Sequence, residues 1–422
     1  MTDAAADEAP TAPGRRRLVQ NFGALFFGRL SVAFSMWIAL VILAKLADPA
    51  TVGLYALAQA ICVPLAEIAK TGLREIMASD PAGLRHFGDY LRFRLVAGTL
   101  AFAAMLAFAI PASAGPAALA VIMVYGLVRV AEMTSDILHG AFQTREEMTH
   151  IGWSLCLLGA GSLIGLGLGY ALTGSLLLAV GGQLLAHLAV LAAYDVPVAR
   201  RIGVPFSGRA AGGGRALLAH AVPLALGTAM AMVAVYLPRI AVEHWLDLSA
   251  LGYFAAITAL AMAPNRFVNA IGVAASVRLA RLHAAGDRRG FVTLLARLGG
   301  LVTLGGAAGL GLIAVAGEPI LRMVYTEDYA AYRLLFLLAF AAAVLRSLAD
   351  VLKFGMIASR RFWWVAAQYG GTAVVAAAGC LTLIPVYGLT GAGFALVLIF
   401  LTNVVVVAAG VALSLPKPGV PS

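Results

Sequence analysis

The feature that most narrows what this chain can fold into is a series of apolar runs, each about 20 residues long and separated by short polar breaks. A helix of that length crosses a bilayer, whereas a membrane strand needs only about 10 residues. Of the 422 residues, 62% are hydrophobic and only 12% are charged. A soluble domain carries roughly 25% charged residues, and the mean hydropathy here is +0.92. The expected fold is an all-α polytopic membrane protein. Twelve spans are read, at roughly 19–45, 52–77, 91–112, 117–140, 150–172, 174–194, 216–242, 250–276, 291–316, 330–357, 363–383 and 388–414.

The net charge of +10 is not a nucleic-acid signal, because the basic residues lie mostly between the apolar runs. That arrangement encodes orientation. With the N-terminus inside, about 19 Lys and Arg side chains, from Arg15 to Lys417, fall in inner segments. The outer segments hold only Lys45, Arg322 and Arg333, with Arg239 near an outer end. Both termini are then cytoplasmic and the span count is even. Residues 1–18 are expected to be a disordered cytoplasmic N-terminus, being rich in Ala, Asp, Glu and Pro up to Pro13. No secretory signal is evident, since the extreme N-terminus is acidic and the first apolar run has full span length.

A basic, Gly-rich linker at 195–215, containing Gly212-Gly213-Gly214, divides the spans six and six. The expected units are an N-terminal lobe at 19–194, a C-terminal lobe at 216–414 and a cytoplasmic tail at 415–422. The two halves echo each other. Val52-Gly53-Leu54-Tyr55-Ala56 matches Leu251-Gly252-Tyr253-Phe254-Ala255 at an offset of 199, which also aligns Asp48 with Asp247. A second echo sets Gly140 and Arg145 against Gly355 and Arg360. An even number of spans per half makes the repeats parallel, so two six-helix lobes should enclose a central cavity with the substrate site between them.

Arg29, Arg129, Arg266 and Arg346 fall deep inside apolar runs. Each costs roughly 2.5–3.5 kcal/mol at mid-membrane, so four cost on the order of 10 kcal/mol. A chain that keeps them is expected to turn them into a wet cavity, where they would attract an anion. Arg29 has no partner on its own helical face. It contacts either a ligand, to which a guanidinium can bond bidentately, or another span. Arg266 follows Pro264, which kinks the helix, and is flanked by Asn265 and Asn269. This Asn-Arg-x-x-Asn patch suits sugar hydroxyls and phosphate, or else tight packing.

Glu67, Lys70 and Arg74 share one face of the second span. At the offset of 199, Glu67 is equivalent to Arg266, so the two are expected to face each other across the cavity as a gate or a static pair. Arg129, Glu132 and Asp136 form one same-face trio, and Arg346, Asp350 and Lys353 another. Each trio can partly neutralise itself. The alternative is ion coupling, in which Glu67, Glu132, Asp136 or Asp350 takes a proton or sodium as the substrate moves.

Gln59, Tyr125, Gln183, His187, Tyr236, Gln368 and Asn403 are read mainly as interhelical hydrogen-bond groups. Gly161, Gly165 and Gly169 form a close-packing stripe. Cys62, Cys156 and Cys380 lie far apart in spans and make no metal or redox motif. No cofactor is expected. No nucleotide-binding Gly-Lys-Ser/Thr motif is present, and the longest outer segment lacks the His, Cys or Ser that an enzyme at that face would use.

Residues 19–77, and above all Leu43-Ala44-Lys45-Leu46-Ala47-Asp48-Pro49-Ala50-Thr51-Val52-Gly53-Leu54-Tyr55-Ala56-Leu57-Ala58 with Gly72-Leu73, resemble the start of the oligosaccharide flippases of the multidrug/oligosaccharidyl-lipid/polysaccharide exporter (MOP) superfamily. Val52 stands where that family usually has an aromatic residue. Asn21 also resembles the family pattern. The resemblance implies a bacterial inner-membrane flippase. It would move a lipid-pyrophosphate-linked, anionic oligosaccharide to the outer leaflet for O-antigen, capsule or exopolysaccharide synthesis. The implied partners are that substrate, membrane lipids, a polysaccharide polymerase and a proton or sodium, with no nucleic acid. A cation-coupled drug antiporter of the same superfamily is the alternative. It would want an acidic cavity, and the first span carries Arg29 and no acid.

Overall fold

The structure, a computed structural model, describes residues 15–70, 72–78, 86–208, 213–358 and 362–415. The expected N-terminal segment up to 14, the linker residues 209–212 and the tail from 416 lie outside them. The N-terminal half contains α1 (Arg15–Leu46), α2 (Pro49–Lys70), α3 (Leu73–Ala78), α4 (Phe87–Ala112), α5 (Pro116–Thr144), α6 (Met148–Thr173), α7 (Leu176–Val190), a π-helical turn (Leu191–Asp195) and α8 (Val196–Arg201). The C-terminal half contains α9 (Gly213–Trp245), α10 (Leu248–Met262), α11 (Asn265–Ala284), α12 (Arg288–Val324), α13 (Glu327–Ala330), α14 (Arg333–Ala358) and α15 (Phe362–Leu413). No strand occurs among the described residues.

Among the described residues, ten helices are long and apolar enough to cross a membrane, and local breaks account for the difference from twelve. The eighth expected span is interrupted after Met262. Pro264 has no N–H for the ladder, so α10 stops at 15 residues and α11 completes the crossing. The last two expected spans run on as the 52-residue α15, which turns at Gly388 with φ 58 and ψ −136. A side chain strains that left-handed conformation, so glycine serves the hairpin. The expected linker begins later than 195, because the π-helical turn and α8 carry the chain in helical form to Arg201.

Three hydrophobic cores describe how the halves meet. One is shared by both halves, with Ala39, Leu43, Val52 and Tyr55 packed among residues that include Val242, Leu251, Phe254 and Leu321. The other two are private. One lies in the N-terminal lobe around Leu73, Phe87, Phe142 and Val198, and the other in the C-terminal lobe around Leu279, Phe291, Val351 and Val407. The lobes are therefore joined at the end holding the α1–α2 and α9–α10 turns, and each closes on itself at the other end. Arg145, Arg201, Arg278 and Arg288 lie at that other end, where the two private cores are separate.

The repeated sequence makes the joint. A Cβ on Gly53 would overlap the backbone carbonyl of Leu248, and one on Gly252 would overlap that of Pro49. Leu248 is Pro49 plus the repeat offset of 199, so the two contacts are reciprocal about a pseudo-two-fold axis. Lys45 Nζ donates to the Met323 carbonyl at 3.1 Å across the same end. Within the N-terminal lobe, the glycine stripe brings α6 onto α7: Gly165 meets Gly182, Gly169 meets Ala179 and Gly161 meets Ala186. Asn21 ties the lobe's α5–α6 turn. It donates to the Glu146 carbonyl (2.9 Å) and accepts from Thr149 (2.9 Å), holding Glu146 at φ 59.

Candidate functional site

The buried charges of the N-terminal lobe form two closed networks. Arg129 on α5 is only 9% exposed; it bonds Glu67 of α2 at 3.1 Å and makes a closer ion pair with Glu132. Lys70 bonds the same two carboxylates, at 2.7 Å to Glu67 and 3.0 Å to Glu132. Two cations thus share two anions. One helical turn toward the open end, Asp136 lies 3.0 Å from Arg94 and 3.8 Å from Arg74. Arg74 Nε also donates to Gln143 at 2.8 Å. Arg94, absent from the expected trio, is the completing partner. It sits just four residues inside an apolar run, where it reads as an end charge in the sequence.

Arg29 is exposed, and among the described residues no carboxylate lies within ion-pair distance of it. Helix periodicity puts it on the α1 face of Val32 and Met36. Those two side chains line a small cavity of about 70 Å³ with Tyr55, Tyr125, Arg129, Glu132 and His187. The polar singles around it make the expected interhelical bonds: Gln183 Nε2 donates to Tyr55 (3.1 Å), and His187 Nδ1 meets Ser162 (3.4 Å).

The C-terminal lobe is built differently. Asp350 and Lys353 pair at 2.7 Å. This leaves Arg346 out of the expected trio, because the shorter reach to Lys353 satisfies the carboxylate. Arg346 instead stacks over Phe400, 5.6 Å from its centroid, and approaches Met262 Sδ at 3.9 Å. Arg266 is exposed, and the positive charge of Arg346 reaches it. Neither has a carboxylate within ion-pair distance among the described residues. Asn269, one turn on, is exposed beside Arg266. Asn265 turns away: its Oδ1 accepts from Ser347 at 3.0 Å, and it borders an apolar cavity of about 400 Å³ between α11, α12 and α14. Of the expected Asn-Arg-x-x-Asn patch, Arg266 and Asn269 are exposed, while Asn265 is engaged by Ser347.

The expected Glu67–Arg266 pair is absent. Glu67 finds Lys70 and Arg129 within its own lobe. Two residues that sequence reasoning set aside join the lobes instead. Tyr236 of α9 lies within electrostatic reach of both Arg129 and Arg266. Arg239 donates to Gln59 of α2 at 3.2 Å, with its guanidinium 5.3 Å over the Tyr236 ring. Their spacing of three, on one face of a lobe-joining span, was the available signal. Among the described residues no cluster of His, Cys, Asp and Glu could hold a metal ion.

No family model matches the chain. The capsular polysaccharide biosynthesis protein CapF of Staphylococcus aureus is 20% identical over 317 residues, 74% of this chain and 78% of that protein. The lipid II flippase MurJ, in an inward closed conformation, is similar with a TM-score of 0.73 at 12% identity, covering 94% of this chain and 87% of that one. A multidrug resistance MATE family transporter of the MOP superfamily, inward-facing, gives 0.68 at 12% identity over 92% of this chain and 97% of that one. The fold is that of these membrane transporters and flippases. The likeness to MurJ and to the MATE transporter is one of fold, and the sequence likeness is to CapF.

Proposed function

We propose that the protein is a flippase for a lipid-pyrophosphate-linked oligosaccharide used in surface polysaccharide synthesis. The observation that carries this reading is that Arg266 and Arg346, both within apolar stretches of the C-terminal lobe, have no carboxylate within ion-pair distance among the described residues. Such a pair is stable in a membrane only if water or an anion solvates it, and a pyrophosphate is an anion with oxygens for two guanidiniums. Arg29 and Asn269 extend the site toward the open end. Arg129 stiffens its wall.

The orientation follows the positive-inside bias. The open end carries the many arginines and faces the cytoplasm, and the closed joint at Gly53 and Gly252 faces outward. The substrate's head would enter the cleft while its lipid tail stays in the bilayer, and the lobes would rock about their shared core. An inside-negative potential favours outward movement of an anion by about 2.3 kcal/mol per charge per 100 mV. A drug antiporter would want free carboxylates in the cavity. Glu67, Glu132, Asp136 and Asp350 are each held by Lys or Arg.

The test is complementation of a deletion strain, assaying surface glycan and inner-leaflet lipid-linked sugar together. Trapped precursor in the deletion strain, relieved by wild type and not by Arg266→Ala with Arg346→Ala, is the expected result. Normal surface glycan from the double variant would sink the reading.

A further inference from the structure

The π-helical turn Leu191–Asp195 ends on a carboxylate that is 0% exposed. Neither oxygen of Asp195 has a hydrogen-bond partner. Among the described residues, the one ionisable nitrogen within ion-pair distance is His139 Nε2 of α5, 3.7 Å from Asp195 Oδ1. The same nitrogen lies 2.9 Å from the hydroxyl of Ser154 on α6. His139 is 3% exposed and Ser154 0%.

The surrounding charges are engaged elsewhere. On α5, Asp136 is held by Arg94 and Arg74, and Arg145 donates to the Gly203 carbonyl. On α6, His150 meets the Tyr194 hydroxyl at 3.2 Å and lies 3.9 Å from Glu147. On α7, His187 bonds the Gln183 carbonyl at 2.9 Å. Arg200 and Arg201 of α8 are exposed at the helix end.

An ionised carboxylate buried without a hydrogen bond costs several kcal/mol. One proton removes that cost in either of two places. On Asp195 it leaves an uncharged acid beside a neutral imidazole, whose bare Nε2 accepts from Ser154. On His139 Nε2 it makes an imidazolium facing the carboxylate, and Ser154 must then turn its hydroxyl to another acceptor. We propose that Asp195, with His139 and Ser154, forms a proton-binding site in the N-terminal lobe. It differs from the four carboxylates expected to couple ions, all of which have Lys or Arg partners.

The site also sits on a hinge. Pro197 has no N–H to give the carbonyl four residues back, and the ladder shifts so that Val196 N–H bonds the Leu191 carbonyl. Such π-bulges recur at functional sites. A change of charge on Asp195 therefore acts on the last residue of a turn with a second, α-helical, arrangement available. Use of the proton to drive transport rests on the flippase reading; proton binding does not.

Infrared pH-difference spectra of the full-length protein in lipid nanodiscs test the site. Wild type should show a pH-dependent signal, a protonated carboxyl if the proton is on Asp195 or an imidazolium if it is on His139, and Asp195→Asn should lose that signal while remaining monodisperse; a wild type with neither overturns the assignment. His139→Gln should move the titration midpoint by about one pH unit or more, as removal of a neighbouring ionisable group does. Should Asp195→Asn fail to assemble, the milder Ser154→Ala must also move the midpoint. A signal that survives Asp195→Asn, an unmoved midpoint in Ser154→Ala, or a wild-type midpoint that shifts when sodium replaces potassium overturns the assignment. Loss of the flippase reading in the complementation assay leaves these spectra unaffected.

Discussion

The two lobes bury comparable charge and treat it oppositely. In the N-terminal lobe, Arg129 has carboxylates on two sides and shares them with Lys70. In the C-terminal lobe, Arg346 has an aromatic ring and a thioether, and Arg266 has Arg346. A guanidinium with two carboxylate partners is already satisfied and serves the architecture. One without any is, in the function proposed above, the group that takes the substrate's charge. An arginine buried in an apolar span can therefore mean either thing, and only the partners tell which.

The comparison breaks most visibly at Arg129. Arg129→Ala leaves Glu67 and Glu132 sharing Lys70 alone in a largely buried site, and removing one partner of a buried ion pair costs about 3–5 kcal/mol. The expected outcome is a large fall in membrane abundance and melting temperature in detergent. Unchanged abundance with lost transport would move Arg129 to the ligand side of the comparison. The converse is expected of Arg266→Ala with Arg346→Ala. Normal abundance should accompany a fall in flipping of 100-fold or more, since each charge-assisted bond to phosphate is worth about 1.5–3 kcal/mol. Lipid-linked precursor in the inner leaflet, measured against protein level, checks it.

The joint between the lobes sharpens the same contrast. Gly53→Val and Gly252→Val each put a side chain against a partner-lobe carbonyl, and overpacking costs about 1–3 kcal/mol. Each should shift the population toward a state open at the opposite end. Labelling of a single cysteine placed beside the joint with a membrane-impermeant reagent should rise in both variants by similar amounts, because the contacts are reciprocal. A response to one substitution alone would remove the pseudo-symmetric account.

Much of this was legible in the chain. The all-helical membrane fold follows from apolar length, and the residues that repeat at the offset of 199 are the ones that make the joint. The glycine stripe could also be read, because small residues at one helical spacing have one physical use. The partners of charges could not be read. Glu67 was matched to Arg266 by the repeat, yet helices within a lobe pack more closely than helices across an open cleft, so Lys70 and Arg129 reach it first. Asn265 and Asn269 are four residues apart on one helix and share a face, but a neighbour that the sequence does not reveal, Ser347 of α14, engages Asn265 while Asn269 stays exposed. Arg94 and Asp195 looked like end charges because sequence hydropathy locates membrane boundaries and not the protein packed around them.

The smallest expected effect concerns Asp350 and Lys353, where the C-terminal lobe imitates the N-terminal one. The two are bonded at 2.7 Å with side chains 22% and 24% exposed, three residues apart on one helix. A pair of near neighbours on a single helix is worth only about 0.3–0.5 kcal/mol, whereas Arg129, 9% exposed, bridges two helices. Asp350→Asn should therefore barely change abundance or melting temperature. Its informative effect is on Arg346, one turn away. If Arg346 serves an anion, removing a nearby negative charge makes the cleft more positive and should leave flipping unchanged or slightly raised. If Asp350 were instead the ion-coupling acid, or the partner Arg346 needs in another state of the cycle, the same substitution would abolish flipping at normal abundance. One conservative change, read by the precursor assay, thus separates a lobe whose arginines wait for a ligand from one whose arginines wait for a carboxylate.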